Sequence, residues 1–196
     1  KKHIMTKFYE LMEKANIDGN GEKFNKISNF IDSLMTPELE EKMKIEYEES
    51  FFYTSINDKQ LTSKPDNKKD IGSISKNLIA TKTNVQELTR FLNNGQTFAP
   101  AIFKDNNRKN DAFISTQVFA LDFDDNQEPR DKIKLFAEYG IKVNIVYSSF
   151  SHTEEHKKFR LVFIIDTIIT DRKTRDKIQL ALMDIAVDAD PACKDV

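Results

Sequence analysis

The chain has a single cysteine, Cys193, so neither an internal disulfide framework nor a cysteine-rich zinc ribbon can be built within its 196 residues. It has no apolar run of about 18 residues, so nothing in it reads as a membrane span. Its opening stretch, K-K-H-I-M-T-K-F, lacks the apolar segment of a secretory signal. Neither charge dominates. Thirty Lys and Arg stand against 32 Asp and Glu for a net charge of −2, so bulk charge carries no nucleic-acid signature, although a local basic patch stays open. Two His flanking one apolar residue occur nowhere, which removes the rolling-circle endonuclease pattern. These absences leave a soluble, cytoplasmic protein as the expectation, long enough for one domain or one domain with an appendage. The lack of Trp beside abundant Lys, Asn and Ile fits an AT-rich coding sequence and says nothing of activity.

What is present centres on Val118–Asp125, V-F-A-L-D-F-D-D. Read as a strand, it sends Phe119, Leu121 and Phe123 to one face and Ala120, Asp122 and Asp124 to the other. Carboxylates two residues apart on one side of a strand stand roughly 6–7 Å apart at the backbone, close enough for their side chains to converge on a cation. Hard oxygen donors of this kind suit Mg²⁺ or Mn²⁺ and leave room for substrate phosphates. A solvated turn is the plainer reading of D-D-N. Against it, Asp122 lies inside an apolar run, where a carboxylate without a partner is costly. Asp125 has the opposite parity and reads as a turn cap.

The pattern around this stretch predicts the architecture. Residues 4–49 carry helical spacing (Ile4, Phe8, Leu11, Met12; Phe24, Ile27, Phe30, Ile31, Leu34), and Thr36-Pro37-Glu38 reads as a helix start, so 1–49 forms an N-terminal helical segment. A short strand is expected at Phe51–Thr54, a long polar loop over 56–75, and a helix capped by Asn84 and ended by Asn93-Asn94-Gly95. A short strand is expected at Ala99–Phe103 and a turn at Lys104–Asp111. The sequence then reads strand (Ile114–Asp124), helix (Pro129–Tyr139, stopped by Gly140), strand (Ile141–Ser149), strand (Lys158–Asp166), helix (Asp171–Val187, with Ile178, Ala181, Leu182 and Ile185 buried). This β-α-β-β-α order, with a fourth strand expected beyond the end, is that of an α+β, ferredoxin-like or RRM-like sheet, with one face under helices and the other open. The same parity on the third strand puts Phe159, Leu161, Phe163 and Ile165 in the core. Arg160 then shares the open face with Asp122 and Asp124, as a triphosphate would want.

Two further segments bear on chemistry. Tyr147-Ser-Ser-Phe-Ser-His-Thr153 closes the second strand and brings His152, Ser149 and Ser151 close to the carboxylates in sequence order. The overlapping His152-Thr-Glu-Glu-His156 satisfies the inverted zinc-peptidase pattern H-x-x-E-H, but that motif needs a helix and the connection here is short. After the last helix, Val187-Asp188-Ala189-Asp190-Pro191 is ordinary helix punctuation, or a place from which one Asp returns as a third carboxylate.

Taken together, Asp122-Phe123-Asp124, the Ser149–Ser151 region with His152, and Ala189-Asp190 resemble, in order, the three motifs of the archaeo-eukaryotic primase superfamily, in its primase-polymerase branch of mobile elements, phages and CRISPR-associated proteins. The resemblance runs from about Phe98 to Val196, is looser over 51–98, where that family places a small α/β module, and is absent over 1–49. It implies a catalytic core over 50–196, with the family's following Arg-bearing strand not included. It also implies a DNA-replication enzyme that performs template-directed nucleotidyl transfer by two divalent ions, Mg²⁺ or Mn²⁺. Asp122, Asp124 and Asp190 would hold the ions, with Asp188 the fallback for the third. Ser149, Ser151 and His152 would bind the phosphates of a nucleoside triphosphate, and Arg160 and Lys158 would balance their charge. Its partners would be single-stranded DNA template and primer, with no membrane. The loops at Lys64–Lys69 and Lys104–Lys109 are candidate DNA contacts. A non-catalytic DNA-binding replication initiator and a zinc hydrolase stand as the alternatives.

Overall fold

A computed structural model describes residues 51–65 and 67–194. The expected N-terminal helical segment lies outside the described residues. Within them the chain is mixed α+β, with four α-helices and two antiparallel sheets.

The first sheet has β1 (Phe52–Gln60) between β2 (Leu78–Thr83) and β3 (Gln96–Ala99). The segment expected as one long loop over 56–75 is instead the second half of β1, a short connection, and helix α1 (Lys68–Lys76), started by Asn67, whose side chain accepts from Asp70 N. Pairing of Ile56 with Ile79 and Phe98 carries β1 past the apolar residues that announce it. Helix α2 (Val85–Asn93) has the cap foreseen, with Asn84 Oδ1 accepting from Glu87 N at 2.8 Å. Gly95 follows with φ 77°, and a Cβ there would meet Leu61 O at 2.1 Å, so the tight return into β3 admits only glycine.

The expected strand Ala99–Phe103 is broken at Pro100 into two pieces that serve different sheets, β3 and β4 (Ala101–Phe103). Proline has no N–H to give a ladder, so it marks the crossing. The second sheet is ordered β4-β5-β7-β6, with β5 at Phe113–Phe123, β6 at Ile145–Ser148 and β7 at Phe159–Ile169. Helix α3 (Pro129–Glu138) joins β5 to β6, and α4 (Arg172–Ile185) follows β7 under an Asp171 cap. The second strand is shorter than expected because residues 141–144 are not part of the ladder. Val143 packs toward the helices and Ile145 toward the first sheet, so they do not share a face.

Parity decides the core. Phe119, Leu121 and Phe123 of β5 meet Phe159, Leu161 and Phe163 of β7, Phe136 of α3, and Leu182 and Ala186 of α4. Their ring pairs (Phe123–Phe159 stacked at 4.9 Å, Phe136–Phe163 edge-on at 4.7 Å) fill the layer under the helices. The opposite face is not open along its length, which corrects the sequence reading. Val118, Val162 and Ile145 are buried against Phe52, Ile56, Leu88 and Phe98 of the first sheet and α2. The end of that face beyond Ala120, Val162 and Ile145 is left uncovered.

The edge of β5 away from β7 is settled in an unforeseen way. β4, which precedes β5, pairs with it through Ala101↔Thr116 and Ile102↔Ser115. Further along, the outward backbone groups find other partners. Val118 N donates to Thr116 Oγ1, and Gln179 Nε2 of α4 donates to Ala120 O at 3.1 Å. Asp190 N then donates to Asp122 O at 2.8 Å, and Asp122 N to Cys193 Sγ at 3.1 Å. A 3₁₀ turn, Pro191–Lys194, thus lies along the edge of β5 past the end of β4.

Candidate functional site

Ladder register converts the polarity pattern of β5, β7 and β6 into rows across the sheet. Ala120, Val162 and Ile145 form one row on the face turned to the first sheet, and all three lie in or against the core there. The next row on that face is Asp122, Arg160 and Tyr147. The row after it, just past the strands, is Asp124, Lys158 and Ser149, drawn together by the Lys158–Asp124 ion pair at 3.6 Å and by Ser149 N donating to Lys158 O at 3.0 Å. The face turns from apolar to charged within two residues, and the charged end is the end left uncovered.

Asp122 and Arg160 form a two-point ion pair. Nε meets Oδ1 and Nη2 meets Oδ2, while Nη1 donates to Tyr147 Oη at 3.0 Å. Burial works to lower the Arg160 pKa, yet the hydrogen bonds to the Asp122 carboxylate and the Tyr147 hydroxyl outweigh it, and the guanidinium is held above its ordinary value. Burial also raises the Tyr147 phenol, which packs 6.5 Å from the Phe98 ring at the border of the covered region. Both Asp122 and Arg160 are about one-third exposed, and Asp124 is half exposed, so the second pair is the more solvated and the weaker.

His152 sits in the β6–β7 connection. Its own N–H donates to Ser149 O at 3.1 Å, and its Nδ1 accepts the Lys158 backbone N–H at 3.1 Å. With Nδ1 accepting, the neutral imidazole carries its proton on Nε2 and presents a donor. Ser149 and Ser151 are exposed in the same turn. The connection is pinned to the β5–α3 loop by Asn126 Oδ1, which accepts from Lys157 N at 2.9 Å, and by the Lys157–Glu128 ion pair. Asn126, at φ 59°, adopts the left-handed turn conformation common for that residue. Residues 150–158 contain no helix, so His152 and His156 are not on the helical face that H-x-x-E-H requires.

The two candidates for a third carboxylate are separated by their partners. Asp188 is paired with Lys132 of α3, whose ammonium also lies 5.5 Å from the Phe123 ring, so it ties the end of α4 to α3. Asp190 is fastened through its backbone to Asp122, and its Oδ1 accepts from Ala192 N at 2.8 Å, capping the 3₁₀ turn. Arg175 and Gln179 were not foreseen. Both are buried on α4: Arg175 Nη1 donates to Lys194 O at 2.8 Å and so holds the turn that carries Asp190, and Gln179 holds β5 at Ala120. The signal that could have found them is their helical spacing with Leu182 and Ala186.

The donors Asp122, Asp124 and Asp190 have the hard-oxygen chemistry of a Mg²⁺ or Mn²⁺ site. As they stand, Asp122 and Asp124 are engaged by Arg160 and Lys158, and among the described residues no three acid, His or Cys side chains converge on one cation position. Among the described residues no helix is long and apolar enough to cross a membrane. No protein-family model, curated protein or solved structure matches this chain.

Proposed function

We propose that residues 50–196 form the nucleotidyl-transfer core of a DNA primase-polymerase, in which the exposed end of an RRM-like sheet binds a nucleoside triphosphate. The observation that supports this reading is the alignment of two carboxylates, two cations and a proton-bearing imidazole on one uncovered end of a sheet whose other face is core. The split β-α-β of β5, α3 and β6, with β7 between the two parallel strands, is the connectivity such a sheet requires.

In this reading His152 Nε2–H and the Ser149 and Ser151 hydroxyls donate to phosphate oxygens. Arg160, a planar fork, and Lys158, a point charge, balance the triphosphate. Tyr147 holds Arg160 at the sheet surface, and the Lys158 backbone N–H keeps the imidazole in the donating tautomer. Asp122 and Asp124, with Asp190 brought in from the turn, would hold Mg²⁺ or Mn²⁺, which when bound activates a 3′-hydroxyl and stabilises the leaving pyrophosphate. A single-stranded template would be held by positive charge and base stacking.

The test is synthesis on single-stranded DNA with Mn²⁺ or Mg²⁺ and labelled nucleotides, with and without primer. The protein is compared with its Asp122→Ala/Asp124→Ala variant. Primer extension lost in the folded variant is expected, and products made without a primer would make the enzyme a primase. The ion-pairing of both carboxylates favours one other reading, a DNA-binding initiator in which those pairs are structural. A folded, DNA-binding protein that makes no products with either metal would establish that reading instead.

A further inference from the structure

A two-point Arg–Asp pair in the middle of a proposed metal site is a contradiction unless one partner is exchanged. Arg160 saturates Asp122: both carboxylate oxygens are taken, one by Nε and one by Nη2, and Nη1 is anchored on Tyr147 Oη. Asp124 has Lys158 at 3.6 Å. Two carboxylates and two cations therefore neutralise one another on adjacent rows. A bare divalent ion arriving there would have to displace a guanidinium from its better half-shielded acceptor and would face two fixed positive charges. A triphosphate presents what the guanidinium and ammonium can accept in return.

Resting on the reading above, we infer that Arg160 is a resident counter-ion that occupies the cation's place on Asp122. Metal and nucleotide then enter together through an exchange of partners, in which Arg160 passes from the Asp122 carboxylate to phosphate oxygens and leaves Asp122 free for the ion. Tyr147 makes the exchange short. Its hydroxyl holds one end of the fork at the sheet surface, so the guanidinium swings about a fixed point and is not released into solvent. The exchange conserves charge, because each anion keeps a cation throughout. It also couples the ligands: each lowers the cost of the other's entry, and the coupling must be reciprocal. The site is thereby kept from binding metal idly in the absence of substrate.

The inference is tested by Mn²⁺ titration followed by electron paramagnetic resonance, with no nucleotide present, on the wild type, Arg160→Gln, Arg160→Lys and Asp122→Asn. The far-UV circular dichroism and melting temperature of each variant establish that it is folded. Removing the competing charge is expected to make Mn²⁺ bind about tenfold more tightly to Arg160→Gln than to the wild type, an energy of the size one close, half-shielded charge contact supplies. Arg160→Lys, which keeps the charge but not the fork, is expected to lie between them. A fluorescent deoxynucleotide analogue, titrated in EDTA and in Mn²⁺, is expected to show metal-dependent affinity in the wild type and a much smaller dependence in Arg160→Gln. Equal Mn²⁺ affinity in Arg160→Gln and wild type, with binding lost in Asp122→Asn, would overturn the exchange and leave the metal-nucleotide reading standing. Mn²⁺ and nucleotide affinities indifferent to Asp122→Asn would take down both.

Discussion

Cys193 shows how one side chain can serve a site without belonging to its chemistry. Its Sγ accepts the Asp122 N–H, closing the edge of β5 at the residue that pairs with Arg160. Burial, the largest influence, pushes its thiol up from an ordinary 9.0 to about 11. A raised folded-state value favours the protonated form, so the stabilisation is whole below about pH 9 and is lost as pH rises through about 11. Thiol modification near pH 8 is therefore expected to be much slower in the native protein than in denaturant, measured with a chromogenic disulfide reagent. Cys193→Ala leaves a backbone donor without an acceptor and is expected to cost about 1 kcal/mol in urea unfolding, while Cys193→Ser, which keeps an acceptor, costs less. A lone cysteine near the end of the sequence gave no hint of this, because its partner lies 71 positions away across the fold. That Asp122 and Arg160 share a face was legible, since two strands of period two, each with one aromatic face, put both residues on the same side. That a guanidinium, and not only a metal, could satisfy the costly carboxylate follows from register, which parity alone does not supply.

At the scale of elements, α4 is where sequence and structure part most clearly. Hydrophobicity selected Ile178, Ala181, Leu182 and Ile185 as its buried side; Leu182 is buried and Ile178 and Ile185 pack half-buried against the core, but Ala181 is exposed and Arg175, Gln179 and Ala186 are buried instead. The buried stripe is wider than the apolar one because the helix packs partly over the edge of β5, where Ala120 O takes a donor that an apolar residue cannot give. Polar residues on a helix ordinarily read as solvent-facing, so only their helical spacing with Leu182 and Ala186 marks these two. Gln179→Leu, which fills the same space without the amide, is expected to strand Ala120 O and to cost about 1–3 kcal/mol. Gln179→Glu should cost more, since it sets a carboxylate against that carbonyl. Urea denaturation of the two variants against wild type checks both sign and order. Helix α1 and the far half of β1 were missed for the converse reason: their polar, low-propensity residues (Asn57–Gln60, Gly72–Ser75) are held by pairing and by Asn57 Nδ2 donating to Ile74 O at 3.0 Å.

In the whole described unit, β5 and β7 form a layer shared by two cores. The helices α3 and α4 close one side, and the first sheet with α2 closes the other. Which face of a sheet a neighbouring module covers is a question of tertiary docking, and the sequence pattern of either partner leaves it open. The coverage bears on the proposed site because it fixes where the charged rows begin: Phe98 is buried beside Val118, Val162 and Ile145 and backs the Tyr147 ring that in turn holds Arg160. If the shared layer makes the two sheets one cooperative unit, weakening either core must weaken both. Phe98→Ala and Phe136→Ala each empty an aromatic position, on opposite sides of that layer, and each is expected to cost about 3–5 kcal/mol. Native-state hydrogen exchange should then show the central amides of β1 and of β5 losing protection by equal amounts in both variants. Protection lost in β1 and β3 alone with Phe98→Ala would mean that the first sheet opens as its own unit. Such an opening would bare the apolar rows beside Asp122 and Arg160 while the carboxylates stayed in register.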